Sequence, residues 1–313
     1  MASIVLITGA NGFIGSYATL LFESLGHRVV PVDIGPRSRD LSLLPIKPST
    51  IKLDITDFKR LHKLCRKMKV THIVHTAHPN KSENPEVLDF SLRTMRNILE
   101  TARELDVQRV VFASSGTIYG RLGKDPGSLL GEDEPMALYP TFLSRSSKIL
   151  GEWLGDFYAL HRSVSFVALR LSSVYGPGQA DGIGAAIKEG ILGRECRPYL
   201  NQIPDDLIYV KDAMQAFGLA CFFEQSESRV YNIASGRGYV EEDLERVMRE
   251  HLPEVPFEIG EPLDFAAVAD NRRSHILDIT LAREELGFSP QFDLDSGIDA
   301  IAAWVRREKR HLR

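Results

Sequence analysis

Ile4-Val5-Leu6-Ile7-Thr8-Gly9-Ala10-Asn11-Gly12-Phe13-Ile14-Gly15 is the stretch that decides the fold. Its apolar start reads as a strand, and the amphipathic segment Tyr17–Leu25 behind it reads as a helix. Gly9, Gly12 and Gly15 stand between the two. A tight strand-to-helix turn needs one residue free of Cβ, close approach of backbone to a diphosphate needs another, and packing of helix on strand needs a third. The helix N-terminus adds unpaired N–H groups and a positive dipole end. Asn11, Phe13 and Ile14 complete the loop as contact residues. Asp33 closes the second apolar run, Arg28–Val32, about twenty residues on, where a carboxylate accepts the hydrogen bonds of an adenosine ribose. The spacing therefore predicts a dinucleotide cradle, with a plain glycine-rich turn as the competing reading. A carboxylate at position 33 repels a 2′-phosphate, so NAD is favoured over NADP, although Arg37 and Arg39 stand close enough to offset part of that repulsion.

Outward from this motif, short β-branched runs alternate with amphipathic stretches. Phe58–Met68, His72–Val74, Val87–Leu105 and Arg109–Phe112 follow one another in helix–strand order. Strand runs without polar alternation belong to a sheet covered on both faces. The expected fold is α/β, a doubly wound parallel Rossmann sheet with a smaller mixed C-terminal substrate lobe. Further elements are expected at Ser144–Leu160, Ser165–Leu171, Leu207–Val210 and Val230–Ile233. Beyond them Pro253, Pro256, Pro262 and Pro290 punctuate helices at Glu241–Glu250, Leu281–Leu286 and Ser296–Arg307. The boundaries drawn are 1–170 with about 206–235 for the dinucleotide domain, and 171–205 with 236–313 for the substrate lobe.

Composition narrows the function classes. The 313 residues are 43% hydrophobic and 26% charged, an ordinary globular balance. A net charge of −4 with interspersed signs provides no basic field for a nucleic-acid backbone. No stretch approaches membrane-spanning length and the N-terminus has no leader pattern, so a cytoplasmic location is expected. Cys65, Cys196 and Cys221 are widely spaced, which indicates neither a disulfide framework nor a metal site.

A set of motifs in fixed order resembles the extended short-chain dehydrogenase/reductase family, of the NAD-dependent epimerase/dehydratase type. They are the loop Thr8–Gly15, Asp54-Ile55, Val74-His75-Thr76-Ala77, Phe112–Gly120, Val174–Gly178, Ile208–Asp212 and Tyr231–Gly236. The likeness covers nearly the whole chain. It implies cofactor contacts from Asp54 and Ile55, read as the end of a third strand, and from Thr76 and Ala77, and substrate contacts from Ser115, Thr117 and Ser173. In the family a tyrosine and a lysine four residues later share one helix, with a serine or threonine from the fifth strand beside them, and the ammonium lowers the phenol pKa for proton transfer. Ser115 fits the hydroxyl and Lys148 fits the lysine, which also anchors the nicotinamide ribose. The tyrosine position holds Ser144, whose alcohol is too weak an acid for that role. Ser91 and Ser173 stand where asparagines are usual, and Asp205 where an arginine is usual, so a diphosphate-bearing substrate is not favoured.

Two residues offer a replacement acid or base. His78 leaves the fourth strand at the sheet edge where ligands of open α/β folds lie, and imidazole titrates near neutral pH. Tyr139 precedes Ser144 on the loop entering that helix. Structural histidine and packed tyrosine are the plainer readings of both. The expected activity is an NAD-dependent oxidoreductase or epimerase/dehydratase-like reaction on a sugar-like or small polar hydroxy substrate, without a metal. A dinucleotide sensor, or a non-redox lyase on the same fold, is the alternative. By resemblance, helices Val87–Leu105 and Ser144–Leu160 would pair into a homodimer.

Overall fold

A computed structural model describes residues 2–79, 84–120, 125, 127–136, 143–200, 204–224, 228–260 and 275–312. In chain order these form β1 (Ile4–Thr8), α1 (Phe13–Ser24), β2 (Arg28–Asp33), β3 (Ile51–Lys52), α2 (Phe58–Met68), β4 (His72–His75), α3 (Glu86–Glu104), β5 (Arg109–Ser115), β6 (Ser128–Leu130) and α4 (Leu143–Arg162). Then come β7 (Phe166–Leu171), β8 (Ser173–Tyr175), α5 (Gly182–Ile191), β9 (Asp205–Tyr209), α6 (Val210–Phe222), β10 (Val230–Ile233), β11 (Gly238–Tyr239), α7 (Glu241–His251), β12 (His275–Leu277), α8 (Thr280–Leu286) and α9 (Leu294–Leu312).

Among the described residues, seven strands form one sheet in the order β10-β7-β5-β4-β1-β2-β3. Every pairing in it is parallel. This is the doubly wound sheet expected from the alternation of elements. Helices cover both faces, which explains the unbroken apolar strands. Leu61, Cys65, Met95, Ile98, Leu99 and Tyr158 of α2, α3 and α4 pack on one side, and Tyr17, Ala18, Phe22, Ala213 and Phe217 of α1 and α6 on the other. The chain reverses its winding between β1 and β4, where ligand crevices open in such sheets.

A smaller mixed arrangement lies outside this sheet. β8 and β9 pair in parallel, β11 joins β9 antiparallel, and β12 pairs with β6. Local signals set several boundaries: the Asp57 carboxylate caps α2 by accepting from Arg60 N at 3.0 Å, and Lys69 ends it in a left-handed turn with φ of 56°. Two expectations need correction. The third strand ends at Lys52, two residues short of Asp54, whose carboxylate instead turns the chain by accepting from Thr56 N at 2.9 Å. Val210, expected to end a strand, starts helix α6, whose burial on most sides erased the helical period from the sequence. All three cysteines are buried and unpaired. No helix among the described residues is long and apolar enough to cross a membrane.

Candidate active site

The glycine turn between β1 and α1 is built by close approach. Gly9 has φ of +69°, and a Cβ there would meet the Ala77 Cα at 2.7 Å. At Gly15 a Cβ would meet the Gly9 carbonyl oxygen at 2.0 Å, so α1 can start against β1 only because the side chain is absent. Gly12 precedes α1 without a side-chain cap, leaving the first-turn amides to a ligand. Asp33 Oδ2 accepts from Asn11 N at 2.9 Å and Oδ1 from Ile34 N at 2.7 Å, which ties the end of β2 to the loop. The Asn11 side chain donates to Gly35 O at 2.6 Å and accepts from Thr50 at 2.7 Å.

These groups open onto one groove of about 800 Å³. It gathers Gly9, Asn11, Gly12, Phe13, Ile14, Gly15, Asp33, Thr76, Ala77, His78 and Ser144, which the sequence scattered over more than a hundred positions. Ile34, Gly35, Pro36, Pro79 and Phe90 also line it and were not foreseen. Size, glycine cradle, free helix terminus and carboxylate together suit a dinucleotide, so the residues present fit NAD. Asp54, Ile55, Ser115, Thr117 and Ser173 do not line this groove. Ile55 is buried, and its carbonyl accepts from Asn97 at 2.9 Å. Tyr139 lies outside the described residues.

Lys148 stands behind the groove. With His75, Ala77, His78, Ser91 and Ser147 it surrounds a void scarcely larger than a water molecule. Its amine donates to Ala113 O at 2.6 Å and lies 4.9 Å from the Phe112 ring centre. Burial pulls its pKa down to about 8, against the opposing pull of Glu152. Ser147 Oγ donates to Ser144 O at 2.7 Å, which leaves its oxygen to accept from His78 Nε2 at 3.0 Å. Burial first, and Lys148 second, hold His78 down at about 3. At neutral pH this imidazole is therefore an uncharged hydrogen-bonding group and a weak base. His75 is packed as expected, with Nδ1 bonded to Thr8 Oγ1 at 2.7 Å. Ser115 Oγ accepts from Thr117 Oγ1 at 2.9 Å, so its own proton is available to a substrate oxygen.

Sequence reasoning missed the support behind these residues. Glu152 accepts from Ser114 and pairs with Arg170 at 2.8 Å, both charges almost fully buried. Arg170 donates onward to Tyr119 OH at 2.8 Å, and Tyr119 to Asn232 Oδ1 at 2.6 Å. This chain of bonds fixes α4 against β5, β7 and β10. A signal existed: an arginine inside the apolar strand run Phe166–Leu171 demands a carboxylate partner.

Fold and groove define a Rossmann-type dinucleotide-binding enzyme. Residues 5–234 match the model of the NAD dependent epimerase/dehydratase family, and the chain belongs to that family. The dTDP-4-dehydro-6-deoxyglucose reductase of Escherichia coli is 27% identical over 96% of this chain and 97% of the relative. A putative UDP-glucose 4-epimerase of Methanocaldococcus jannaschii is 28% identical over 98% of this chain and its own whole length. The solved structure of Thermus thermophilus UDP-glucose 4-epimerase in complex with NAD is 25% identical, with a TM-score of 0.79 over 97% of this chain and 99% of that one. The protein is accordingly an NAD-dependent enzyme.

Proposed function

We propose that this enzyme transforms a sugar-like or small polar hydroxy substrate, with hydride exchange at NAD and proton chemistry that runs without a phenol at position 144. The observation that carries the reading is the single groove joining the glycine cradle and Asp33 to Ser144 of α4, with the Lys148 amine one turn behind. NAD, when bound, accepts and returns a hydride at its nicotinamide. Ser115 holds the reacting substrate oxygen through its free proton. Lys148 anchors the nicotinamide ribose; with a pKa near 8 it also exchanges a proton close to neutral pH, whereas His78 does not. Relatives that act on nucleotide sugars support a sugar-like substrate. Asp205, where the family resemblance expects arginine, favours a substrate without a diphosphate.

The lobe boundaries at 1–170 with 206–235, and 171–205 with 236–313, belong to this proposal, as does a cytoplasmic location. So does a homodimer. Trp153, Phe157 and Leu160, spaced along one face of α4, are 50%, 45% and 63% exposed, and Leu92 on the neighbouring α3 is 39% exposed. An apolar face of that kind suits a second copy of the same face.

The test is stopped-flow absorbance of the NAD-loaded protein against sugar nucleotides, free sugars and hydroxy acids. Appearance of reduced nicotinamide with a free sugar or hydroxy acid, lost in Lys148→Ala, is the expected result. Silence across the panel with NAD tightly bound would favour a sensor or a non-redox reaction.

A further inference from the structure

Arg37, on the loop leaving Asp33, carries a guanidinium that the fold leaves largely unmatched. Its Nη2 reaches the Ala10 carbonyl at 3.5 Å, the outer limit of a hydrogen bond, and that oxygen already accepts from Ser16 Oγ at 3.1 Å. Its Nε is buried and has no partner among the described residues. Asp33, the carboxylate that faces it, is committed to backbone: Oδ2 to Asn11 N, and Oδ1 to Ile34 N and to Gly35 N at 3.0 Å. Burial lowers the Arg37 pKa despite Asp33, as expected of a cation short of acceptors. Buried donors without acceptors are rare in folded proteins and point to a missing partner.

The loop that presents Arg37 is held from several sides. Asn11 fastens Gly35, Leu41 is buried, and Asp40 pairs with Lys188 of α5 at 2.6 Å. This places Arg37, next in the chain to the groove-lining Pro36, against the Ala10 carbonyl in the turn that leads into α1.

We propose that Arg37 is a phosphate ligand of the bound dinucleotide, donating from its guanidinium to an oxygen of the diphosphate alongside the α1 amides. This rests on the NAD reading and adds a side-chain cation to a cradle otherwise made of backbone. The diphosphate is chosen over a 2′-phosphate because Arg37 lies on the Ala10 side of the cradle and because the Asp33 carboxylate repels a 2′-phosphate.

Calorimetric titration of the wild type, Arg37→Met and Arg37→Lys with NAD, ADP, adenosine and adenosine 2′,5′-bisphosphate tests it. Arg37→Met is expected to weaken NAD and ADP by about 10- to 100-fold, the range for a hydrogen bond to a charged group, and to leave adenosine within about twofold. Arg37→Lys should recover part of the loss. The ligand-free Tm of Arg37→Met should equal or exceed that of the wild type, because a partly buried, under-matched cation has been removed, while the rise in Tm on adding NAD shrinks. Unchanged NAD affinity would overturn the proposal. An equal loss for adenosine would also overturn it, making Arg37 a support of the loop. A loss confined to the 2′,5′-bisphosphate would move the contact to the other phosphate. A wild type that binds none of the four would overturn the NAD reading, and this proposal with it.

Discussion

Ser144 and Lys148 stand one helical turn apart on α4, yet Ser144 opens onto the groove while the Lys148 amine reaches the Ala113 carbonyl at 2.6 Å behind it. In the proposed function, the groove-facing position thus carries an alcohol where the family resemblance expects a phenol, and the buried ammonium that would tune such a phenol is present. Ser144→Tyr should restore a phenol beside that cation and raise turnover at least about tenfold, since a placed acid or base contributes on the order of a hundredfold or more. Steady-state rates on the substrate found by the absorbance panel check this. Unchanged or lower turnover with intact NAD binding would mean that the phenol is not what the site lacks.

Acid should destabilise the fold through its buried histidines. Burial, with Arg109 secondary, holds His72 at about 4, and burial, with Lys148 secondary, holds His75 at about 3, against an ordinary 6.5. Below pH 6.5 the unfolded chain binds protons that the native chain refuses. Their contribution is therefore complete above 6.5 and is lost as pH falls toward 4. At about pH 5 each fully uncharged histidine costs about 2 kcal/mol relative to neutral pH. Urea midpoints measured across this range, with a smaller slope in His72→Phe, provide the check.

The Glu152–Arg170 pair should behave as a buried charge couple. Glu152→Gln leaves Arg170 uncompensated and should destabilise by about 3–5 kcal/mol, whereas changing both residues to Met should cost much less. By urea unfolding, a double-variant loss equal to the sum of the Glu152→Met and Arg170→Met losses would argue against coupling.

Gly15→Ala forces a Cβ to 2.0 Å from the Gly9 carbonyl, so α1 must shift from the cradle. An overpacking loss of about 1–3 kcal/mol is expected, together with disappearance of the NAD-induced rise in Tm. Retention of that rise would show that the cofactor does not use this helix end.

Replacing Trp153 and Phe157 with Glu should convert a dimer to a soluble monomer in sedimentation equilibrium. A wild type that is monomeric at every concentration would discard the interface.

The parallel sheet, its helices and the cradle were legible because each rests on local pattern. β1, α1 and the three glycines follow one another without a gap, and Asp33 is the end of the next strand. β8, β11, β12 and α5 were not legible. The strands are only two or three residues long, too short to show a period, and three glycines blur the helix Gly182–Ile191. Asp54 and Ile55 were placed on a strand that ends before them, because the turn at Asp54 depends on its own side chain.

By itself the sequence determined the fold class, the glycine-spaced loop between β1 and α1 and the serine four residues before Lys148, since periodicity, glycine spacing and residue identity are properties of neighbours in the chain. Only the tertiary structure decided that His78 is held uncharged, that Lys148 is drawn down to about 8, that Glu152 faces Arg170, and that Arg37 lies beside Ala10 with its Nε unmatched. The physical reason is that desolvation and charge pairing depend on which distant residues surround a group, and that is settled only when helices and strands pack.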